Sequence, residues 1–154
     1  MFRYVIIACV FALTACNRNS SPKTSVHEVT GNTTQRAAAV SAIVAKHKIP
    51  PTAIQDAHFV EQQTGDGQLG PSDFEAFYVL EVAPQDVSQW TRLLTPLTAK
   101  SEYHAPAKPR DWWIAREAFA SLQFYTPDIL TGKLLGWIGV SLQTGRIYIF
   151  TFTM

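Results

Sequence analysis

Asp56 and His58 form the polar pair whose spacing suits chemistry. On a strand, residues two apart share a face, so the carboxylate can orient the imidazole for acid–base or triad work. Such a pair still needs a nucleophile, and no G-x-S-x-G elbow stands anywhere in the chain. Glu61 and Glu102 are the acidic residues left to assist it. Val60 falls on the same face, so a half-exposed strand surface accounts for the pair equally well. Histidines 27, 47, 58 and 104 are scattered, with no H-x-x-x-H or H-E-x-x-H spacing, and neither a metal nor another cofactor is expected.

Glu102, Tyr103 and His104 sit in a proline-flanked stretch, Thr98 to Arg110, where contact residues are often found. Trp112 and Trp113 follow. Read as part of a short helix capped by Asp111, neighbouring side chains point about 100° apart, so both cannot enter one core. One is buried and the other is free to stack on a partner. Trp113, Tyr103 and His104 are therefore the candidate partner-binding residues, with a core position as the alternative for Trp113. Tyr78, Trp90 and Trp137 are assigned to the core. Gly65, Gly67 and Gly70 lie between Thr64 and Asp73, but the stretch lacks the lysine and the following helix of a phosphate-binding loop.

The elements that must position these residues can be read from the pattern. Asn32 and Gln35 have the spacing of a capping box, and a helix is expected over Gln35–Lys48, stopped by Pro50-Pro51. Ala37, Val40, Ile43 (or Val44) and His47 form its stripe. Ile54–Gln63 and Phe74–Val82 read as strands. The second carries a wholly apolar face (Phe74, Ala76, Tyr78, Leu80, Val82) and a half-polar one. Pro84 opens a helix whose Val87, Trp90, Leu94 and Leu97 share a stripe. Trp137–Leu142 and Arg146–Thr153 form a hairpin turned through Gln143-Thr144-Gly145. The fold class expected is α+β: two layers, an antiparallel sheet of about four strands, with helices packed on one face.

The first sixteen residues belong to a different order of signal. Arg3 precedes an apolar run from Tyr4 to Leu13, too short to cross a bilayer comfortably, which needs about 20 apolar residues. Leu13-Thr14-Ala15-Cys16 then resembles the lipobox of bacterial lipoproteins, and the resemblance covers the signal alone. It implies cleavage before Cys16, diacylglycerol on its sulfur and acylation, such as by palmitate, of the new N-terminus. Asn17, where a retention signal would place aspartate, points to the outer membrane facing the periplasm. The resulting division is a signal peptide over 1–15, a flexible tether over 16–34 rich in Ser, Thr and Asn, and one globular domain over 35–154.

Removal of the signal leaves 139 residues with 12 basic and 12 acidic side chains, because Arg3 departs. With no basic surplus, nucleic acid is not an expected partner. Cys9 leaves with the signal and Cys16 carries lipid, so the domain holds together without disulfides. Its packing falls to the seven Phe, four Tyr and four Trp that remain after residue 15. These readings converge on a non-catalytic envelope lipoprotein, held to the membrane by lipid on Cys16. Its domain is expected to bind an envelope protein or peptidoglycan. The alternative is a small hydrolase using Asp56 and His58.

Overall fold

A computed structural model describes residues 24–64 and 72–154; the signal, Cys16 and glycines 65, 67 and 70 lie outside them. The described chain is mixed helix and strand around one open antiparallel sheet of six strands. In chain order, the strands are β1 (Thr24–Glu28), β2 (Asp56–Thr64), β3 (Asp73–Glu81), β4 (Gln123–Tyr125), β5 (Gly136–Ser141) and β6 (Arg146–Phe152). Their spatial order is β1-β2-β3-β6-β5-β4.

Six strands replace the expected four because two of them are short. The outermost, β1 and β4, carry no apolar alternation of their own and exist through their neighbours. β1 pairs with β2 from Thr24↔Thr64 to Glu28↔Val60, so residues assigned to the tether by composition belong to the sheet. Within β1, His27 stays exposed with its ring edge-on to Phe59 at 5.6 Å.

Helix α1 (Thr33–Ala45) begins two residues earlier than expected, with the expected cap. The Asn32 side chain accepts from the Gln35 backbone N–H, and the Gln35 side chain accepts from that of Asn32, both at 3.0 Å. Two of the four otherwise orphaned donors at this terminus are thereby satisfied. Ala37, Val40 and Val44 are its buried stripe. Pro84 starts a single tight turn that runs into α2 (Val87–Thr91), and Val87, Trp90 and Leu94 enter the core. The fully buried Trp90 indole donates to Thr52 Oγ1 at 2.8 Å.

The sheet faces two cores. Ala57, Phe59, Ala76, Tyr78, Leu80, Ile138, Val140, Ile147 and Ile149 point to one, where Val40 and Val44 of α1 meet Val87 and Trp90 of α2. Leu130, from α4 (Asp128–Thr131), joins them. The opposite face presents Val60, Phe77, Val79, Trp137, Tyr148 and Phe150, and it is not left to solvent. It is roofed by Trp113, Ile114, Phe119 and Leu122, from the stretch that contains α3 (Arg116–Phe119). The two-layer expectation is therefore corrected. Helices cover one face and an aromatic roof with little regular structure covers the other. The middle of β3, Ala76–Leu80, is buried on both faces in consequence, while Glu75 stays exposed on the face expected to be half polar.

The crossing between faces explains the roof. Leu94 lies in the first core, whereas Leu97 packs against the second. Between them the chain passes the outer edge of β4. Leu97 N–H donates to Phe124 C=O at 3.0 Å, and Thr126 N–H to Thr95 C=O at 2.9 Å. That edge is thus covered, as an unpaired strand edge needs to be. The β5–β6 hairpin has the expected turn, with Gly145 at φ 72°, the left-handed geometry required there.

Candidate functional site

The two ends of the sheet differ chemically, and Asp56 and His58 fall at the first of them. At the first end, Asp56 faces Glu81 across β2–β3, Glu81 faces Arg146 across β3–β6, and Ser141 completes the row on β5. Asp56 is held by Arg36 of α1 through two contacts, Nε to Oδ1 at 3.1 Å and Nη2 to Oδ2 at 2.6 Å. Arg146 reaches Glu81 at 2.8 Å. His58 Nε2 stands 3.8 Å from Asp56 Oδ2, too far for a hydrogen bond, and its ring stacks on Trp112 with centroids 5.1 Å apart.

Electrostatics follow from this arrangement. Burial alone would raise the Asp56 carboxyl. The Arg36 hydrogen bond, the Ala57 N–H and the charges of Arg36 and His58 overcome it, holding the carboxyl below its ordinary value. Burial lowers His58, against the pull of the Asp56 carboxylate. The sequence pairing of Asp56 with His58 on one face is therefore real, but the carboxylate orients a guanidinium, not the imidazole. The acidic residues considered as helpers are elsewhere. Glu61 lies beside Tyr78 and Lys133 in a hollow of about 180 Å³ on the helix side of the sheet. There burial and the Glu61 charge push the Tyr78 hydroxyl up to about 12. Glu102 belongs to the aromatic roof.

These shifts fix a pH response. The folded Asp56 pKa lies below that of the unfolded chain, so its stabilisation is complete above the ordinary carboxylate value and is lost as pH falls through the folded one. His58 acts in the same direction. Its lowered folded pKa means that the unfolded chain takes up the proton first as pH falls below the ordinary imidazole value. Asp56→Asn is expected to cost about 1–3 kcal/mol at pH 7, since it strands a half-buried guanidinium. In urea titrations the gap from wild type should close as the wild-type carboxyl protonates. A gap that stays constant down to pH 3 would show that the ion pair is not its source.

The three candidate partner-binding residues are brought together, but as structure within the roof. Trp113 is 8% exposed, so its side chain is core, the alternative expected for it, and only an edge of it reaches the surface. Its indole N–H donates to His104 C=O at 2.8 Å, and it packs edge-on against Phe77 and Tyr148. The pair Trp112-Trp113 sits in a turn, not in the expected helix capped by Asp111; the helix begins only at Arg116. Tyr103 donates its hydroxyl to Ile114 C=O at 3.0 Å, and Arg116 lies 4.5 Å over its ring. The His104 ring stacks on Phe150 at 4.3 Å. Trp137 donates to Glu102 C=O at 3.0 Å. Three successive residues of an irregular segment are thus stapled by aromatic side chains and their donors, and this gives a loop without ladder hydrogen bonds a fixed shape.

What this shape leaves open is a hollow of about 340 Å³ beneath Pro106 and Pro109, lined by Tyr103, Arg110, Trp113 and Ile114. Its lining is mostly apolar, with one cation. Arg110 gives Nη2 to Glu28 of β1 at 2.7 Å, while its Nε is buried with no acceptor. Arg110 and Glu28 are the residues that sequence reasoning missed. They are 82 positions apart, and no local pattern links them. Among the described residues, no group of three or more potential metal ligands occurs. Nor is any described helix long and apolar enough to cross a membrane. No protein-family model, curated protein or solved structure matches the chain.

Proposed function

We propose that the protein is a non-catalytic envelope lipoprotein. Lipid on Cys16 holds it to the outer membrane, facing the periplasm, and its domain binds a protein partner or a cell-wall component. The observation that carries the binding part is the rigid, mostly apolar hollow under Pro106 and Pro109 with the Arg110 guanidinium in its wall. A pre-formed apolar recess with one placed charge is the usual make-up of a recognition site. Glu28 takes one Nη2 donor of that guanidinium, and a partner carbonyl oxygen would complement a remaining N–H. The competing hydrolase reading has less support, because Arg36 already occupies the carboxylate that would have to orient His58.

The anchor rests on the lipobox residues Leu13 to Cys16. The binding surface is testable with a photo-crosslinking amino acid placed at Ala115, which is exposed and lines the hollow. The same probe at Ser88, exposed on α2, is the control. One discrete adduct is expected from position 115 in intact envelopes and none from position 88. Arg110→Met should abolish the adduct while the purified protein still melts cooperatively. Identical adducts from both positions, or none from position 115, would remove the hollow as the binding surface.

A further inference from the structure

The second end of the sheet is where the N-terminal segment joins the domain, and it is also where apolar side chains reach solvent. Thr24 pairs with Thr64, and Thr64 with Asp73. Thr153 N–H then donates to Phe74 C=O at 2.9 Å, and Phe152 N–H to Leu135 C=O at 3.3 Å. One continuous end of the sheet thus runs from the start of β1 to the residues just before β5. Leu134 is 84% exposed there, Leu135 37% and Met154 87%. Half of the exposed large apolar side chains among the described residues gather at this one end.

The chain between anchor and domain is short. Because β1 begins at Thr24, only Cys16 to Lys23 separate the acylated sulfur from the sheet. Even fully extended, these residues reach no more than about 29 Å, at 3.3–3.6 Å each. The end that carries Leu134, Leu135 and Met154 is therefore the end held closest to the bilayer. The charges around it are mixed. Lys100 and Lys133 lie on the leucine side, and Glu102, Asp73 and Glu75 on the same or neighbouring segments. Contact with a membrane here would be made by apolar side chains and not by a basic patch.

We propose that this end of the sheet docks on the bilayer that carries the Cys16 lipid, with Leu134, Leu135 and Met154 set among the headgroups and upper acyl chains. The inference rests on the lipid-anchor reading. It predicts a fixed orientation: the charged row Asp56–Glu81–Arg146 points away from the membrane, and the domain does not swing freely on its tether.

The test uses the full lipidated protein in vesicles of phosphatidylethanolamine and phosphatidylglycerol. Leu134→Cys carries an environment-sensitive dye. Leu142→Cys, in the turn beyond Ser141 at the opposite end and 49% exposed, carries the same dye as the control. With Cys16 acylated, the introduced thiol is the one available for labelling. The dye at position 134 should shift to the blue and lose most of its emission when the acyl chains are brominated, while the dye at position 142 should be unchanged. Mass measurement of the mature N-terminus separates the two failures. A chain without acyl groups sinks the anchor reading itself. An acylated chain with both labels equally unquenched overturns the docking alone. A position-134 label that is shielded from water but not quenched assigns the patch to a second copy of the chain, and likewise overturns the proposal.

Discussion

Trp113→Ala is expected to destabilise the domain by about 3–5 kcal/mol, the usual cost of truncating a buried aromatic to alanine. The side chain lies within 6 Å, centroid to centroid, of Phe77, Trp112, Trp137 and Tyr148. Its removal also leaves the His104 carbonyl without the indole donor. A loss of that size is a large share of the roughly 5–15 kcal/mol that holds a domain together. The roof has no ladder to fall back on, so the aromatic cluster should loosen before the sheet does. Near-ultraviolet circular dichroism and urea titration measure the two separately. A variant with an unshifted urea midpoint would mean that Trp113 is a surface residue, and that the roof as described is wrong. Any partner-binding defect of this variant is therefore uninformative unless its stability is measured first.

Gly136→Ala is expected to cost about the same, roughly 3–5 kcal/mol, for a different reason. Gly136 opens β5 at φ 125°, a conformation that side chains rarely adopt. A Cβ there would collide with the Phe150 carbonyl, which cannot move without breaking the β5–β6 ladder, and would lie 2.8 Å from Thr151 Cα. Gly139→Ala is the instructive comparison. Its Cβ would meet Leu122 Cδ1 at 2.6 Å, the far end of a side chain that can rotate away, so the loss should be markedly smaller. Thermal melts of the two variants side by side decide the matter. Equal losses would mean that volume at the second core, not backbone geometry at the strand start, sets the cost.

The parts of the fold legible in the sequence are those whose cause is local. The capping box of Asn32 and Gln35, the tight turn at Pro84 and the hairpin turn ending at Gly145 each depend on residues within four positions. The first and last appear as expected, whereas Pro84 leads into a helix that ends at Thr91, short of the expected stripe through Leu97. β1 was hidden because Thr24–Glu28 is short and polar and becomes a strand only through β2, with Ser25 bonded to Gln63 38 positions away. β4 has three residues and the same excuse. The roof was hidden for a deeper reason. Trp112, Phe119 and Leu122 keep a helical spacing, yet only Arg116–Phe119 forms a helix, because the residues before it are placed by the sheet they cover. The candidate site was legible in part. Asp56 and His58 do share a face and Trp113 and His104 do meet, but that Arg36 claims Asp56 is a long-range fact.

The strand order carries a kinetic consequence. β1, β2 and β3 are joined by neighbouring ladders in the first half of the described chain, and β4, β5 and β6 in the second. The halves meet along one seam, the β3–β6 ladder, which brings Phe74 against Thr153 across 79 positions. Closing a loop of that length has to be met in entropy before any contact along the seam repays it. Neither core can form earlier, since each draws side chains from both sides of the seam. The β3–β6 seam is therefore expected to close after the local β2–β3 and β5–β6 hairpins, and both cores to form with it.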